Sequence, residues 1–191
     1  MNTSAKAGLI RLAPAKLNLT LEVLGKRSDG FHEVCSVLQA IELWDSLFLN
    51  LRPRGIDFQC SQPNLENPEN LVLRAAESIR PAGEIKGVSI RLQKGIPEAS
   101  GLGGGSSDAA ATLKGLDWLW GTDLGLEMLS HLASQLGSDA PFFLIGGTAL
   151  AEGRGEKVTP LSSLPPQWAV ILKPHLTTPH PKTARLYSAL R

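Results

Sequence analysis

An α+β fold is the prediction from this sequence of 191 residues, and two patterns support it. Segments that alternate apolar and polar residues, as half-buried strands do, come early in the chain, and helical periodicity is mixed in irregularly further on. This order disfavours a repeated strand-helix-strand array. Hydrophobic residues make up 42% and charged residues 19% of the chain, which is typical of a folded globular protein.

Five segments have strand-like patterns. They are residues 17–23, 33–43, 46–51, 88–92 and 168–172, the last of a buried type. Polar residues at 25–30 predict a turn, and residues 52–70, which are rich in Pro, Gly and Asn, predict a loop-dominated stretch. The second and third strands are predicted to be separate because Trp44 and Asp45 lie between them.

Four segments predict helices. The first begins near Pro68 and ends before Pro81, and the others cover residues 106–120, 126–136 and 182–190. Gly137 closes the third of them, as glycine commonly does at a helix end. The glycine-rich stretch before residue 106 therefore lies at a junction between a strand and a helix.

This stretch, Pro97 to Ala111, contains four glycines and three serines and leads into an alanine-rich helix. Glycines let backbone N–H groups approach an anion closely, and a helix start adds unpaired N–H groups and a positive dipole end. We therefore predict a phosphate-binding loop. It is not a P-loop, because no Gly-Lys-Ser/Thr follows, and Ser106 replaces the last glycine of a dinucleotide motif. A flexible linker is the alternative, which the flanking strand and helix disfavour.

Three other positions have candidate chemistry, each with a plainer alternative. Lys16 is flanked by small and apolar residues, which favours a partly enclosed ammonium over a solvated surface charge. Asp139 follows a predicted helix end and precedes an apolar, strand-like run, so it is either a carboxylate at the edge of the core or a turn aspartate. Phe31 and His32 end a turn, where histidine is more often a hydrogen-bonded loop residue than a catalyst.

Charge and composition indicate the setting of the protein. A net charge of +1 gives no sign of a surface that binds nucleic acid, and no apolar run has the length of a membrane span. The two cysteines, Cys35 and Cys60, are simply interpreted as reduced thiols, and the N-terminus has no signal-peptide pattern. We therefore expect a soluble, cytoplasmic protein with neither nucleic acid nor membrane as a partner.

Four motifs in order carry a resemblance to a known family. They are Ala-Pro-Ala-Lys-Leu-Asn-Leu at 13–19, Asp-Gly-Phe-His-Glu at 29–33, the glycine-rich stretch, and Leu-Gly-Ser-Asp-Ala-Pro-Phe-Phe at 136–143. Residues 68–76, 152–156 and 173–187 add supporting matches. Together they resemble the superfamily of galactokinase, homoserine kinase, mevalonate kinase and phosphomevalonate kinase. Within it they resemble the kinases that act on 4-diphosphocytidyl-2-C-methyl-D-erythritol.

The resemblance implies a two-lobed α+β fold of the GHMP type. Residues 1–161 would form the ATP-binding N-terminal domain, similar to the second domain of ribosomal protein S5 and complete. Residues 162–191 would begin the C-terminal substrate domain, most of which is missing relative to the family. An exposed apolar surface is expected where that domain would pack, with residues 168–172 as the first candidate.

The resemblance also implies an activity, which is ATP-dependent phosphorylation of the substrate's 2-hydroxyl in the non-mevalonate route to isoprenoid precursors. ATP would be the co-substrate, with Mg²⁺ bound to it and no dedicated metal site. Asp139 matches the general base, and Lys16 matches its cationic partner. The positions that match ATP-binding residues are Asn70, Lys94, Pro97, Gly101, Leu102, Gly103, Gly104, Gly105, Ser106 and Ser107.

The substrate, a small molecule with a cytidyl diphosphate group, would be bound by matching positions. These are Asn18, Phe31, His32, Thr183 and Tyr187; the aromatic rings would stack on cytosine, and His32 would bond its edge. Two other functions stay open: a non-catalytic ATP-binding fragment, and a superfamily kinase with another substrate. Whether the chain is a monomer or a homodimer is left open.

Overall fold

Seven strands and four helices form the fold in the computed structural model, which describes residues 8–80 and 86–174. The strands are β1 (Leu9–Asn18), β2 (Glu22–Lys26), β3 (His32–Arg52), β4 (Ile56–Cys60), β5 (Gly87–Gln93), β6 (Thr148–Gly153) and β7 (Lys157–Pro160). The helices are α1 (Leu71–Ser78), α2 (Gly104–Trp120), α3 (Gly125–Leu136) and α4 (Ala140–Ile145), with a short 3₁₀ turn at Pro63–Leu65. Strands and irregularly placed helices confirm the α+β prediction.

Strand β3 is the centre of the sheet. It pairs antiparallel with β1, β2, β5 and β6, while β4 adds parallel to β5 and β7 adds antiparallel to β6. One face of the sheet packs against the helices in the main core, where α2 contributes the fully buried Leu113 and Leu116. The opposite face carries exposed apolar side chains, such as Ile10 and Phe48, which are cross-strand partners.

The prediction of two strands at 33–43 and 46–51 is wrong, because β3 runs through both without a break. A bulge explains the apparent interruption: Pro14 of β1 pairs with Trp44, but the next residue, Ala15, pairs with Ile41. Buried side chains fall at even positions before this bulge, as at Leu38, and at odd positions after it, as at Leu47. The extra residues reverse which face each position points to.

Several other predicted boundaries differ from the structure. The 17–23 segment is divided between the end of β1 and the start of β2, and the 52–70 loop contains β4 and the 3₁₀ turn. The apolar run after Asp139 forms helix α4 instead of a strand. The first three predicted helices are present as α1, α2 and α3, whereas the predicted 182–190 helix lies outside the described residues.

The predicted buried strand at 168–172 is also wrong. Residues 161–174 have no regular secondary structure and are exposed, and Trp168 is fully exposed. An apolar run forms a strand only where a neighbouring strand pairs with it. None of the described strands pairs with residues 168–172. The expectation of exposed apolar side chains here agrees with the structure. Among the described residues, no helix is long and apolar enough to cross a membrane.

Candidate active site

The glycine-rich stretch forms one wall of a cleft of about 570 Å³. Residues 65–71 and the segment after β5 line it as well, and Asp139 contributes a carboxylate. Helix α2 begins at Gly104 beside this cleft, and the amide of Ser107 makes an early helical hydrogen bond, to the carbonyl of Gly103. The amides of the first turn have no acceptor within the helix, so the cleft has the chemistry of an anion-binding site.

Gly103 is required at the start of α2 for two reasons. Its φ is +76°, in the left-handed region that favours glycine. A Cβ atom there would also lie 2.7 Å from Phe143 Cζ and 3.2 Å from Lys16 Cγ. The loop therefore packs directly against Lys16, the lysine predicted from the sequence. The backbone N–H of Lys16 also donates to the carbonyl of Leu102 at 2.9 Å.

Lys16 and Asp139 are brought together although they are far apart in the chain. Lys16 Nζ lies 3.4 Å from Asp139 Oδ2 and donates to Asn18 Oδ1 at 2.7 Å. Lys16 is 5% exposed, whereas more than a third of the Asp139 side chain is accessible. Asn18 is fixed in turn by donating to the hydroxyl of Ser36. The result is a buried ammonium beside an accessible carboxylate at the edge of the cleft.

A second charged group of three residues adjoins the cleft, and two of them, Lys94 and Asp108, belong to the cleft lining. Sequence reasoning missed two of the three members. The ammonium of Lys94, at the end of β5, bonds to the carboxylates of both Asp45 and Asp108. Asp45 is completely buried, and its Oδ1 accepts the backbone N–H groups of Gly95 and Ile96. The triad thus ties β3, the segment after β5 and helix α2 together.

The pKa values in this triad are shifted. Burial is the main cause that raises the pKa of Asp108 to about 7; the charge of Asp45 raises it further, and Lys94 opposes both. Burial by itself would lower the pKa of Lys94, but its two carboxylate partners outweigh burial and raise it. Asp108 Oδ1 is buried and has no hydrogen-bond partner among the described residues. Ionisation of Asp108 therefore lowers the free energy of unfolding of the protein.

Asp108→Asn is expected to raise the free energy of unfolding above that of the wild type by a larger amount at pH 8 than at pH 5. A raised acid pKa contributes stability below the unfolded value, near 4, and this contribution is lost as pH rises through about 7. Asparagine has no ionisation cost, so the gain in unfolding free energy should be about 2 kcal/mol larger at pH 8. Urea unfolding of both proteins at the two pH values measures it. Asp57→Asn, at a half-buried aspartate outside the triad, is the control. Equal gains for Asp108→Asn at both pH values would contradict the shift.

The other positions matched to ATP binding differ in placement. Pro97, Gly101, Leu102, Gly104, Gly105 and Ser106 line the cleft. Asn70 also lines it, but its side chain caps α1 by accepting from the amide of Val72 and donates to the carbonyl of Leu65. Ser107 is fully buried beneath the loop and is not part of the lining, and its hydroxyl lacks a partner within the described ranges.

The positions matched to substrate binding lie outside this cleft or outside the described residues. Phe31 is 48% exposed in the turn before β3, and His32 begins that strand. The guanidinium of Arg154 lies over the Phe31 ring, a contact that sequence reasoning did not anticipate. Thr183 and Tyr187 lie beyond the described part of the chain.

The family comparison agrees with this fold and loop. Residues 70–147 match the model of the GHMP kinases N terminal domain, a range that covers α1, the glycine-rich loop and Asp139. Solved structures below 25% identity share the fold: a homoserine kinase from Cytophaga hutchinsonii superposes over 84% of this chain and 54% of that chain, with a TM-score of 0.63 and 22% identity. Residues 70–147 of this chain thus resemble the N-terminal domain of the GHMP kinases.

Curated relatives narrow the resemblance. A 4-diphosphocytidyl-2-C-methyl-D-erythritol kinase of Pelotomaculum thermopropionicum is 51% identical over 183 residues, which cover 94% of this chain and 63% of the relative. A protein of the same name from Dehalococcoides mccartyi is 46% identical, over 95% of this chain and 64% of the relative. A crystal structure of 4-(cytidine 5'-diphospho)-2C-methyl-D-erythritol kinase superposes with a TM-score of 0.80 and 44% identity, over 93% of this chain and 63% of that chain. This chain thus spans about 63% of the length of these proteins.

Proposed function

We propose that this chain carries the ATP-binding domain and catalytic pair of a kinase that phosphorylates the 2-hydroxyl of 4-diphosphocytidyl-2-C-methyl-D-erythritol. The names of its relatives supply the substrate. The observation that carries the proposal is the Lys16–Asp139 pair, 3.4 Å apart, next to the amide-lined start of helix α2. The domain boundary near residue 161 is supported by the end of β7 at Pro160, after which the described residues have no regular structure.

Asp139 is proposed to act as the general base. Its carboxylate is accessible from the cleft and lies 3.4 Å from the Lys16 ammonium, so it can reach the proton of a hydroxyl group bound there. Lys16 would also stabilise negative charge on the transferred phosphate, because it is buried beside the glycine-rich loop. Asn18 orients the pair through its bond to Lys16.

ATP is the co-substrate of this proposal. Its β- and γ-phosphates would be bound by the backbone amides of Gly101 to Ser107, with the hydroxyl of Ser106 at the lining. Mg²⁺ would enter with ATP, since it binds through phosphates and one or two carboxylates. The oxygen donors of Asp139 and Ser106 fit such an ion. No group of three His, Cys, Asp or Glu side chains within the described ranges is arranged around a metal position.

The cytidyl group is proposed to bind at the turn that contains Phe31 and His32. Phe31 has an accessible ring for stacking, and stacking of a base on an aromatic side chain contributes about 1–3 kcal/mol in complexes with single-stranded nucleic acids. His32 would bond the edge of cytosine. Thr183 and Tyr187 complete the proposed substrate contacts.

The decisive experiment is phosphate transfer by the purified chain. The chain is incubated with magnesium-ATP and the cytidyl substrate, and the product is identified by mass; mevalonate and homoserine are offered in parallel as substrates of other superfamily kinases. Lys16→Ala serves as the catalytic control. We expect product with the cytidyl substrate alone and none from the variant.

Each other result has a definite meaning. Binding of ATP without transfer by a folded chain would overturn catalysis and leave a nucleotide-binding chain. Transfer to mevalonate or homoserine instead would reassign the substrate. Transfer that persists in Lys16→Ala would remove the Lys16–Asp139 pair from the mechanism.

A further inference from the structure

Arg154 makes a contact that neither the glycine-rich loop nor the catalytic pair requires. It lies in the turn between β6 and β7, and its guanidinium carbon is 5.1 Å from the centre of the Phe31 ring. A guanidinium within about 6 Å of a ring centre is attracted to the face of the ring. Arg154 therefore covers one face of Phe31.

The arginine is fixed by two further bonds. Its Nη2 donates to the carbonyl of Ser134 on α3 at 2.9 Å, and its backbone N–H donates to Glu156 Oε2 at 2.7 Å. The side chain is therefore held both at its backbone and at its tip. The position of the cation relative to the ring is set by the core-facing helix α3 and does not depend on the exposed loop alone.

Phe31 is also held by its own turn. Its backbone N–H donates to Asp29 Oδ1 at 3.1 Å, and its carbonyl accepts the N–H of Arg27 at 2.8 Å. The ring is nevertheless 48% exposed. Since Arg154 covers one face, a planar group that stacks on the ring would use the other face.

The same turn reaches the catalytic pair. Gly155 has a φ of +112°, which favours glycine, and a Cβ there would lie 3.6 Å from Ser138 Cβ and 3.8 Å from Asp139 Oδ1. Arg154 and its neighbour therefore adjoin both the stacking ring and the proposed base. The turn between β6 and β7 therefore contacts both the ring on which a base would stack and the carboxylate beside which the reacting hydroxyl would lie.

We propose that Arg154 is a positioning residue for the substrate's nucleobase: it fixes the Phe31 ring so that its open face stacks on a pyrimidine. This inference rests on the proposed function, because it takes the ligand to be a pyrimidine nucleoside diphosphate. The cation also draws electron density from the ring, which strengthens stacking against an electron-rich pyrimidine face. Phe31→Leu would remove both effects.

The test is the affinity of the 191-residue chain for cytidine 5'-diphosphate, measured by calorimetry with the ATP cleft saturated by a non-hydrolysable ATP analogue. Arg154→Ala should weaken this affinity about three- to tenfold, and Arg154→Lys should restore part of it. The affinity for the ATP analogue should not change. Phe31→Leu should weaken cytidine diphosphate binding, and Arg154→Ala should add nothing further in that background.

These outcomes separate a positioning role from a structural one. Unchanged cytidine diphosphate affinity in Arg154→Ala, or the same loss with and without Phe31, would overturn the proposal. A parallel loss of ATP-analogue affinity would show that Arg154 only supports the fold. A wild-type chain that binds the ATP analogue but not cytidine diphosphate would overturn this inference and leave the ATP site, whereas binding of neither would overturn the proposed function as well.

Discussion

Asp139→Asn is expected to reduce phosphate transfer at least about 100-fold while ATP affinity stays unchanged. Asparagine has nearly the same shape as aspartate, but it cannot accept the proton of the attacking hydroxyl. The neighbouring Lys16 is already bonded to Asn18, so its position does not depend on the carboxylate alone. Single-turnover transfer and calorimetric ATP binding, measured on the same preparation, separate the two effects.

The matched control is Asp57→Asn, which makes the same chemical change at a half-buried strand residue outside the cleft lining. It should transfer phosphate at the wild-type rate. Wild-type transfer by Asp139→Asn would instead show that the hydroxyl is deprotonated by another group. Lost ATP binding in that variant would make its inactivity a consequence of structure and contradict the assigned role.

Lys94→Met is expected to have the largest effect on stability, a loss of about 3–5 kcal/mol. The change removes the cation that Asp45 and Asp108 share, and both carboxylates are almost completely buried. Asp45 keeps its two backbone donors, but Asp108 loses the ammonium that donates to its Oδ2. Urea unfolding at pH 8 measures the loss.

Two further variants make this result specific. Lys26→Met changes an exposed lysine of β2 and should alter stability by less than about 0.5 kcal/mol. Adding Asp108→Asn to Lys94→Met should recover part of the loss, because one buried charge is removed. A loss for Lys94→Met similar to that for Lys26→Met would show that the triad contributes little to stability.

The glycine-rich loop was predictable because its signal is local. Four glycines next to the start of a helix specify backbone geometry within a few residues, and the structure has α2 begin there. Lys16 and Asp139 were candidates from their neighbours in sequence, which also allowed a surface lysine and a turn aspartate, and the resemblance supplied their roles. Their 3.4 Å contact depends on how β1 and α4 pack around the loop.

The triad was not predictable from local pattern. Asp45 looked like an interruption between two strands, because the bulge opposite Pro14 changes which face of the sheet each residue occupies. Its partner Lys94 lies 49 positions along the chain, and no periodicity relates the two. The same holds for Arg154 and Phe31, whose contact depends on the pairing of β3 with β6. The available signal for Asp45 in the sequence was an aspartate within an otherwise apolar stretch.

The continuous strand β3 couples the local stability of the proposed cytidyl position to that of the cleft. It begins at His32, beside the proposed cytidyl position, and carries Asp45 behind the nucleotide cleft. Because four neighbouring strands hydrogen-bond to it, we expect this stretch to open as one cooperative unit. A ligand that binds the closed form at either end therefore raises the free energy of opening at both. Nucleotide would slow amide hydrogen exchange around Val34 without touching it.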